Sequence, residues 1–212
     1  QTCAVPIWLI KEGYEAYTLI LGEGKTSRDE KRVVENKKDE IEILNSEIKR
    51  ANDTIGIKKT FIYNFADNRF DSVDLLDIVK VISKVKEEIK PDVIFTHYEK
   101  DLNIDHQITY KAVIIATRPM QNESVKEIYS FEVLSSTEWN YPLTFSPDTF
   151  FDIEDTLDLK ISAMKEYKSE LCLYPHPRSL EGIKLNAQYQ GMRVGKLFVE
   201  AFKSVRVIRW KK

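Results

Sequence analysis

Apolar positions along the chain fall into short blocks separated by turn residues, and the spacing inside each block predicts its element. Residues 4–11 form an apolar patch that stops at Gly13, as a helix closed by glycine does. Residues 14–21 are aromatic and aliphatic with little charge and run into Gly22-Glu23-Gly24, which predicts a buried strand entering a tight loop. From residue 28 to about 52, Val33, Ile41, Leu44 and Ile48 recur among many charges, the pattern of a solvated amphipathic helix. Residues 60–65 predict a second strand, 67–71 a polar turn, and 73–89 a helix that Pro91 stops. A strand over 92–96, a loop over 97–104 and a largely buried helix over 105–117 follow, then a strand over 125–134. Residues 135–152 read as irregular surface with a short strand near Phe150, and 156–171 and 180–203 as helices. Residues 205–210 alternate as a final strand.

Strands alternating with helices of these lengths predict an α/β fold with a predominantly parallel sheet covered on both faces. Ligands bind beyond the carboxyl ends of such strands, which places the loops at 22–27, 66–71 and 97–106 on one rim. Composition narrows the function. The 212 residues are 42% hydrophobic and 31% charged, enough for a real core, and 32 basic against 34 acidic side chains give a net charge of -2. Such a balance recruits neither nucleic acid nor anionic lipid. The longest apolar runs fall far short of the roughly 20 residues of a membrane span. Cys3 and Cys172, the only thiols, form no disulfide framework, which points to a reducing cytoplasm. Gln1 follows no initiator Met, and further sequence is expected ahead of it. A homo-oligomer is compatible with this composition.

The richest chemistry lies in Thr96-His97-Tyr98-Glu99-Lys100-Asp101-Leu102-Asn103-Ile104-Asp105-His106, which leads from a strand into a helix and holds two of three histidines. An imidazole at a helix start can offer nitrogen to a divalent metal while a carboxylate fixes its tautomer. Equally, Asn103 or Asp105 can cap the helix, with the histidines merely lining the surface. Arg69, between Asp67 and Asp71, suits either a forked clamp on a substrate hydroxyl or phosphate, or an ion pair within its turn. The aromatics Trp139, Tyr141, Phe145, Phe150 and Phe151 suit sugar stacking or a small satellite core.

Four colinear blocks carry a resemblance that covers nearly the whole chain. They are Leu-Ile-Leu-Gly-Glu-Gly-Lys-Thr-Ser-Arg at 19–28, Asp-Asn-Arg-Phe-Asp at 67–71, Thr96-His97 through His106 with Ala116-Thr117-Arg118-Pro119, and Tyr-Pro-His-Pro-Arg-Ser at 174–179. Together they resemble the PIG-L/LmbE family of zinc-dependent de-N-acetylases. The resemblance implies a single domain over 1–212, a Rossmann-like three-layer sandwich with a mostly parallel sheet and helices on both faces, lacking its first strand. It also implies zinc as cofactor, a small amino-sugar substrate, and hydrolysis of an N-acetyl group by a metal-activated water.

Carried over by position, His106 matches the family's third zinc ligand, with Asp105 beside it as the ligand's partner. Asn103 stands where many relatives have a histidine that polarises the scissile carbonyl; its amide can donate a hydrogen bond but no proton. His176 then becomes the candidate general acid, on a loop stiffened by Pro175 and Pro177, against the alternative of a loop staple. Arg69, His97, Asp101 and Arg178 are the expected substrate contacts. The family's His-Pro-Asp-Asp-Glu segment, which supplies two zinc ligands and the general base, does not occur in this sequence. A protein made from residues 1–212 alone is therefore expected to be inactive or feeble, and the alternative class is a non-catalytic sugar-binding protein.

Overall fold

The computed structural model describes residues 5–26 and 37–209, in two compact units. The first comprises residues up to 66 together with 150–200, the second residues 67–149 and the chain from 201 onward. Cys3 and the expected start of the second helix at Arg28 lie outside the described residues.

In the first unit α1 (Val5–Lys11) ends before Gly13, whose φ of +91° is open to glycine at little cost. Strand β1 (Tyr17–Gly22) pairs in parallel with β2 (Lys59–Phe65), joined through α2 (Lys38–Ile55). This is the crossover unit that the alternation predicted. Gly56, at φ +83°, closes α2 by donating its N–H to Asp53 O. Further along come β5 (Thr149–Asp152), α5 (Leu157–Glu166) and α6 (Leu180–Met192). Ile7, Ala51, Ile55, Ile153, Leu157, Ala163 and Ala187 form the core of this unit, so α1, α2, α5 and α6 all turn an apolar face inward.

The second unit opens with a 3-10 turn over Phe70–Ser72 and α3 (Leu75–Ile89). Ile78, Val79, Ile82 and Val85 make the buried stripe of α3, each worth about 1.5–3 kcal/mol relative to exposure. Lys90, in the left-handed region at φ 52°, ends the helix just before Pro91. Strand β3 (Val93–His97) runs parallel to β4 (Glu127–Phe131), with α4 (Ile104–Ala116) in the crossover packed on α3. Strand β6 (Val199–Val207) pairs antiparallel with β4. The result is a mixed α/β fold with helices against its sheets, in which β1–β2 and β3–β4 pair in parallel while β6 runs antiparallel to its neighbours, so the expected mostly parallel sheet is instead mixed.

One expectation fails here: the helix read over 180–203 ends at Met192, and the final strand begins at Val199 instead of Val205. Gly195 sits at φ +72° and folds the chain back, so that Lys196 donates its N–H to Gly191 O. Gly191 permits this approach, since a Cβ there would lie 2.5 Å from Lys196 O. Burial of Val199, Ala201 and Phe202 then stabilises strand over helix.

Candidate active site

The chain leaves β3 at His97 and re-enters regular structure at Ile104, so residues 98–103 form the loop beyond a carboxyl strand end. Asn103 caps α4: its backbone is extended (φ -76°, ψ 125°) and its Oδ1 accepts the Asp105 N–H at 2.8 Å. The capping reading is therefore correct for Asn103, and it leaves Nδ2 without a partner among the described residues.

Asp101 is the centre of the arrangement. It is 0% exposed, and both carboxylate oxygens are committed. Oδ1 accepts from the Asn103 N–H and pairs with His106 Nδ1, each at 2.9 Å, and takes a short bond from the Ser136 hydroxyl. Oδ2 takes a short bond from the Thr137 hydroxyl. Burial alone would raise this carboxyl, but the bonds from His106, Ser136 and Thr137 outweigh it and hold Asp101 below its ordinary range. A group with this burial and these partners has no face left for substrate, which corrects the expectation that Asp101 contacts it.

Asp105 corrects a second expectation. Its Oδ2 accepts the Asn68 N–H at 2.6 Å and its Oδ1 the Phe70 N–H at 3.0 Å, so it ties the 67–71 turn to α4 and does not partner His106. Burial pushes the Asp105 carboxyl up and nearby Asp67 adds to the rise, against the pull of the two amides. Two of the three loops expected on the rim, 67–71 and 97–106, are thus physically joined.

His106 keeps 21% of its side-chain surface, and its Nε2 has no partner among the described residues. The His97 ring stacks on it at 4.1 Å and 13° and leans on Phe131 at 5.1 Å, so the contacts of His97 are aromatic. Its Nδ1 is buried with no partner among the described residues. Burial first, and the neighbouring His106 next, hold His97 well below the ordinary imidazole range and therefore neutral. Arg69 is exposed, and its guanidinium makes no ion pair among the described residues. Phe145 packs edge-on against Tyr98 at 5.1 Å, whereas Trp139 and Tyr141 are exposed.

His176 and Arg178 belong to the first unit. His176 Nδ1 accepts the Arg178 N–H at 3.1 Å, a staple to an amide donor instead of a carbonyl, and this leaves the proton of the neutral ring on Nε2. Arg178 donates to Glu170 Oε2 at 3.2 Å, and Glu170 Oε1 in turn pairs with Lys25 at 2.5 Å. Glu23, 5% exposed, accepts the N–H groups of Lys25 and Thr26 and closes the tight turn after β1.

Sequence reasoning missed Ser136 and Thr137, the two hydroxyls on Asp101. The only signal was their polar run directly after a strand. Among the described residues no group of three His, Cys, Asp or Glu side chains is placed to hold a metal. His106, whose side chain keeps 21% of its surface, offers its free Nε2, whereas the unpartnered His97 Nδ1 is buried, and a three-ligand zinc centre does not fit the described residues alone.

Comparison with known proteins agrees with this architecture. The chain is 26% identical over 141 residues to a probable N-acetyl-alpha-D-glucosaminyl L-malate deacetylase 2 of Bacillus cereus. That match spans 66% of this chain and 63% of the relative, less than two thirds of its length. Among solved structures, the N,N'-diacetylchitobiose deacetylase of Pyrococcus horikoshii superposes with a TM-score of 0.71 at 19% identity, covering 96% of this chain and 77% of that one. GalB, the 4-carboxy-2-hydroxymuconate hydratase of Pseudomonas putida KT2440, superposes with a TM-score of 0.70 at 19% identity, covering 99% and 91%. A deacetylase and a hydratase on one fold show that the fold alone does not choose the reaction. The family model for GlcNAc-PI de-N-acetylase, PIG-L, matches residues 4–117, more than half of the chain, and the chain therefore belongs to the PIG-L family.

Proposed function

We propose that the protein hydrolyses the N-acetyl group of an amino sugar or sugar conjugate, in the cytoplasm. The observation that carries this is His106: an imidazole at a helix start, its Nδ1 committed to a buried carboxylate and its Nε2 free, in a chain of the de-N-acetylase family. The relative and the structural neighbour named above as deacetylases support the same reaction class.

Water adds to the amide carbonyl carbon, the C–N bond breaks, acetate forms, and the amine leaves with a proton. In this chain the Asn103 Nδ2 donates a hydrogen bond to the developing oxyanion. Arg69, with its guanidinium unpaired, holds a substrate hydroxyl in forked geometry. Zinc is the cofactor that family membership suggests; His106 Nε2 would be one of its ligands, and the metal would polarise the amide carbonyl and activate the water.

Acetate release from N-acetylglucosamine conjugates by the full-length gene product, with zinc supplied, tests this reading. Release is expected from conjugates carrying the N-acetyl group and absent from the same sugars without it. Binding of these conjugates by calorimetry with no acetate released would replace the enzyme by a sugar-binding protein.

A further inference from the structure

Asp101 is the most deeply buried charged side chain of its unit, and the number and kind of its partners say what it is for. A carboxylate taken fully out of water must be hydrogen-bonded, and each of its lone pairs left empty would be costly. Here four donors converge on it. The Asn103 N–H and the two hydroxyls are unambiguous donors. Thr137 Oγ1 already accepts the Val133 N–H at 2.7 Å, so its own proton is directed at Asp101. The loop that delivers the hydroxyls is itself fixed, because Glu138 accepts the amides of Ser135 and Ser136 and Val133 O accepts those of Ser136 and Thr137. The carboxylate is thus held from three sides before His106 is considered.

The fourth partner is the His106 ring, the only one whose proton can sit on either of two atoms. A carboxylate has nothing to donate, so at 2.9 Å from Oδ1 the His106 Nδ1 must carry the proton. We propose that Asp101 is a positioning residue that locks His106 in the Nδ1–H tautomer, so that the Nε2 lone pair is the ring's free electron donor. The neighbouring contacts agree: His97 stacks flat on the same ring and hinders its rotation away from Asp101. Asp105, the carboxylate adjacent in sequence, is spent on backbone amides and offers His106 no competing acceptor. This deepens the deacetylase reading and rests on it only for the use made of Nε2.

The test is the tautomer itself, read from long-range proton–nitrogen correlations of the 15N-labelled 212-residue chain at a pH where imidazoles are neutral. The His106 signals are assigned by their loss in His106→Gln. In the wild type the expected result is a protonated Nδ1 and a bare Nε2. Asp101→Asn keeps an acceptor oxygen in place and is expected to retain that tautomer. Asp101→Ala removes the acceptor and is expected to move the population toward Nε2–H. Should the alanine variant not fold, the wild type and the asparagine variant decide. An Nε2–H tautomer in the wild type, or an unchanged Nδ1–H tautomer in a folded alanine variant, overturns the inference. The predicted tautomer without acetate release in the assay above sinks the deacetylase reading and leaves this one standing; acetate release with the opposite tautomer does the reverse.

Discussion

Asp105→Ala is the perturbation that most sharply separates a carboxylate serving the backbone from one serving His106. The side chain is 7% exposed and accepts two main-chain amides, Asn68 N–H at 2.6 Å and Phe70 N–H at 3.0 Å. Alanine leaves both donors unpaired. Phe70 is 3% exposed, so water cannot easily replace its partner, and a buried amide left unsatisfied costs about 1–3 kcal/mol. Asn68 is exposed and recovers a water, so it contributes little. Against this, removing a carboxyl that burial has already pushed up relieves part of its desolvation cost. The net expectation is a destabilisation of about 1.5–2.5 kcal/mol, and less for Asp105→Asn, whose single oxygen still serves one amide. With urea slopes of about 1–3 kcal/mol per molar, the alanine variant's unfolding midpoint should fall by roughly 0.5–2.5 M. The same variant should retain the His106 tautomer, because Asp101 is untouched. A midpoint within about 0.2 M of wild type would refute the reasoning, as would a lost tautomer.

Three further outcomes follow from other parts of the structure. Gly182→Ala should lower the melting temperature by several degrees, because its Cβ would lie 2.5 Å from Pro177 O and 3.0 Å from His176 O, and overpacking of this kind costs about 1–3 kcal/mol. Arg69→Ala should reduce kcat/KM by about 1.5–3 kcal/mol with an unchanged melting temperature; a large fall in melting temperature with unchanged activity would make Arg69 a structural residue. Asp148 is held at about 2, because the bonds from Lys203 Nζ and the Ser204 N–H outweigh its burial. A depressed carboxyl stabilises above its unfolded pKa near 3.9 and loses that contribution as pH falls toward about 2. The stability gap between wild type and Asp148→Asn should therefore be present at pH 6 and close on acidification; a gap independent of pH would contradict it.

Much of the fold was legible because its signals are local. The stripe Ile78, Val79, Ile82, Val85 has helical spacing, Pro91 stops its helix, and the polar loop from His97 to Asn103 sits between a strand and a helix. The ends of elements were less legible where a backbone reversal decides them, as at Gly195, whose left-handed conformation ends the α6 region and frees Val199–Val207 to pair with β4. In the candidate site, spacing and resemblance singled out His106, but the carboxylate on its ring is Asp101 and not the expected Asp105. Asp105 directly precedes His106 on a helix, and neighbouring helical residues point about 100° apart. Asp101, back in the loop, can fold over the ring, and that geometry is invisible to spacing alone. Ser136 and Thr137 were missed because their role depends on β3 and β4 pairing side by side, a non-local fact.

The central claim is that His106, held by Asp101, is the working centre of a de-N-acetylase. Its most direct test is kcat/KM for acetate release from an N-acetylglucosamine conjugate by the full-length protein and by His106→Ala, with folding checked by circular dichroism. Loss of partners that merely orient such a histidine costs about 10- to 100-fold, so removal of the imidazole itself is expected to cost more than about 100-fold with the fold intact. A folded His106→Ala protein that turns over at the wild-type rate would contradict the account.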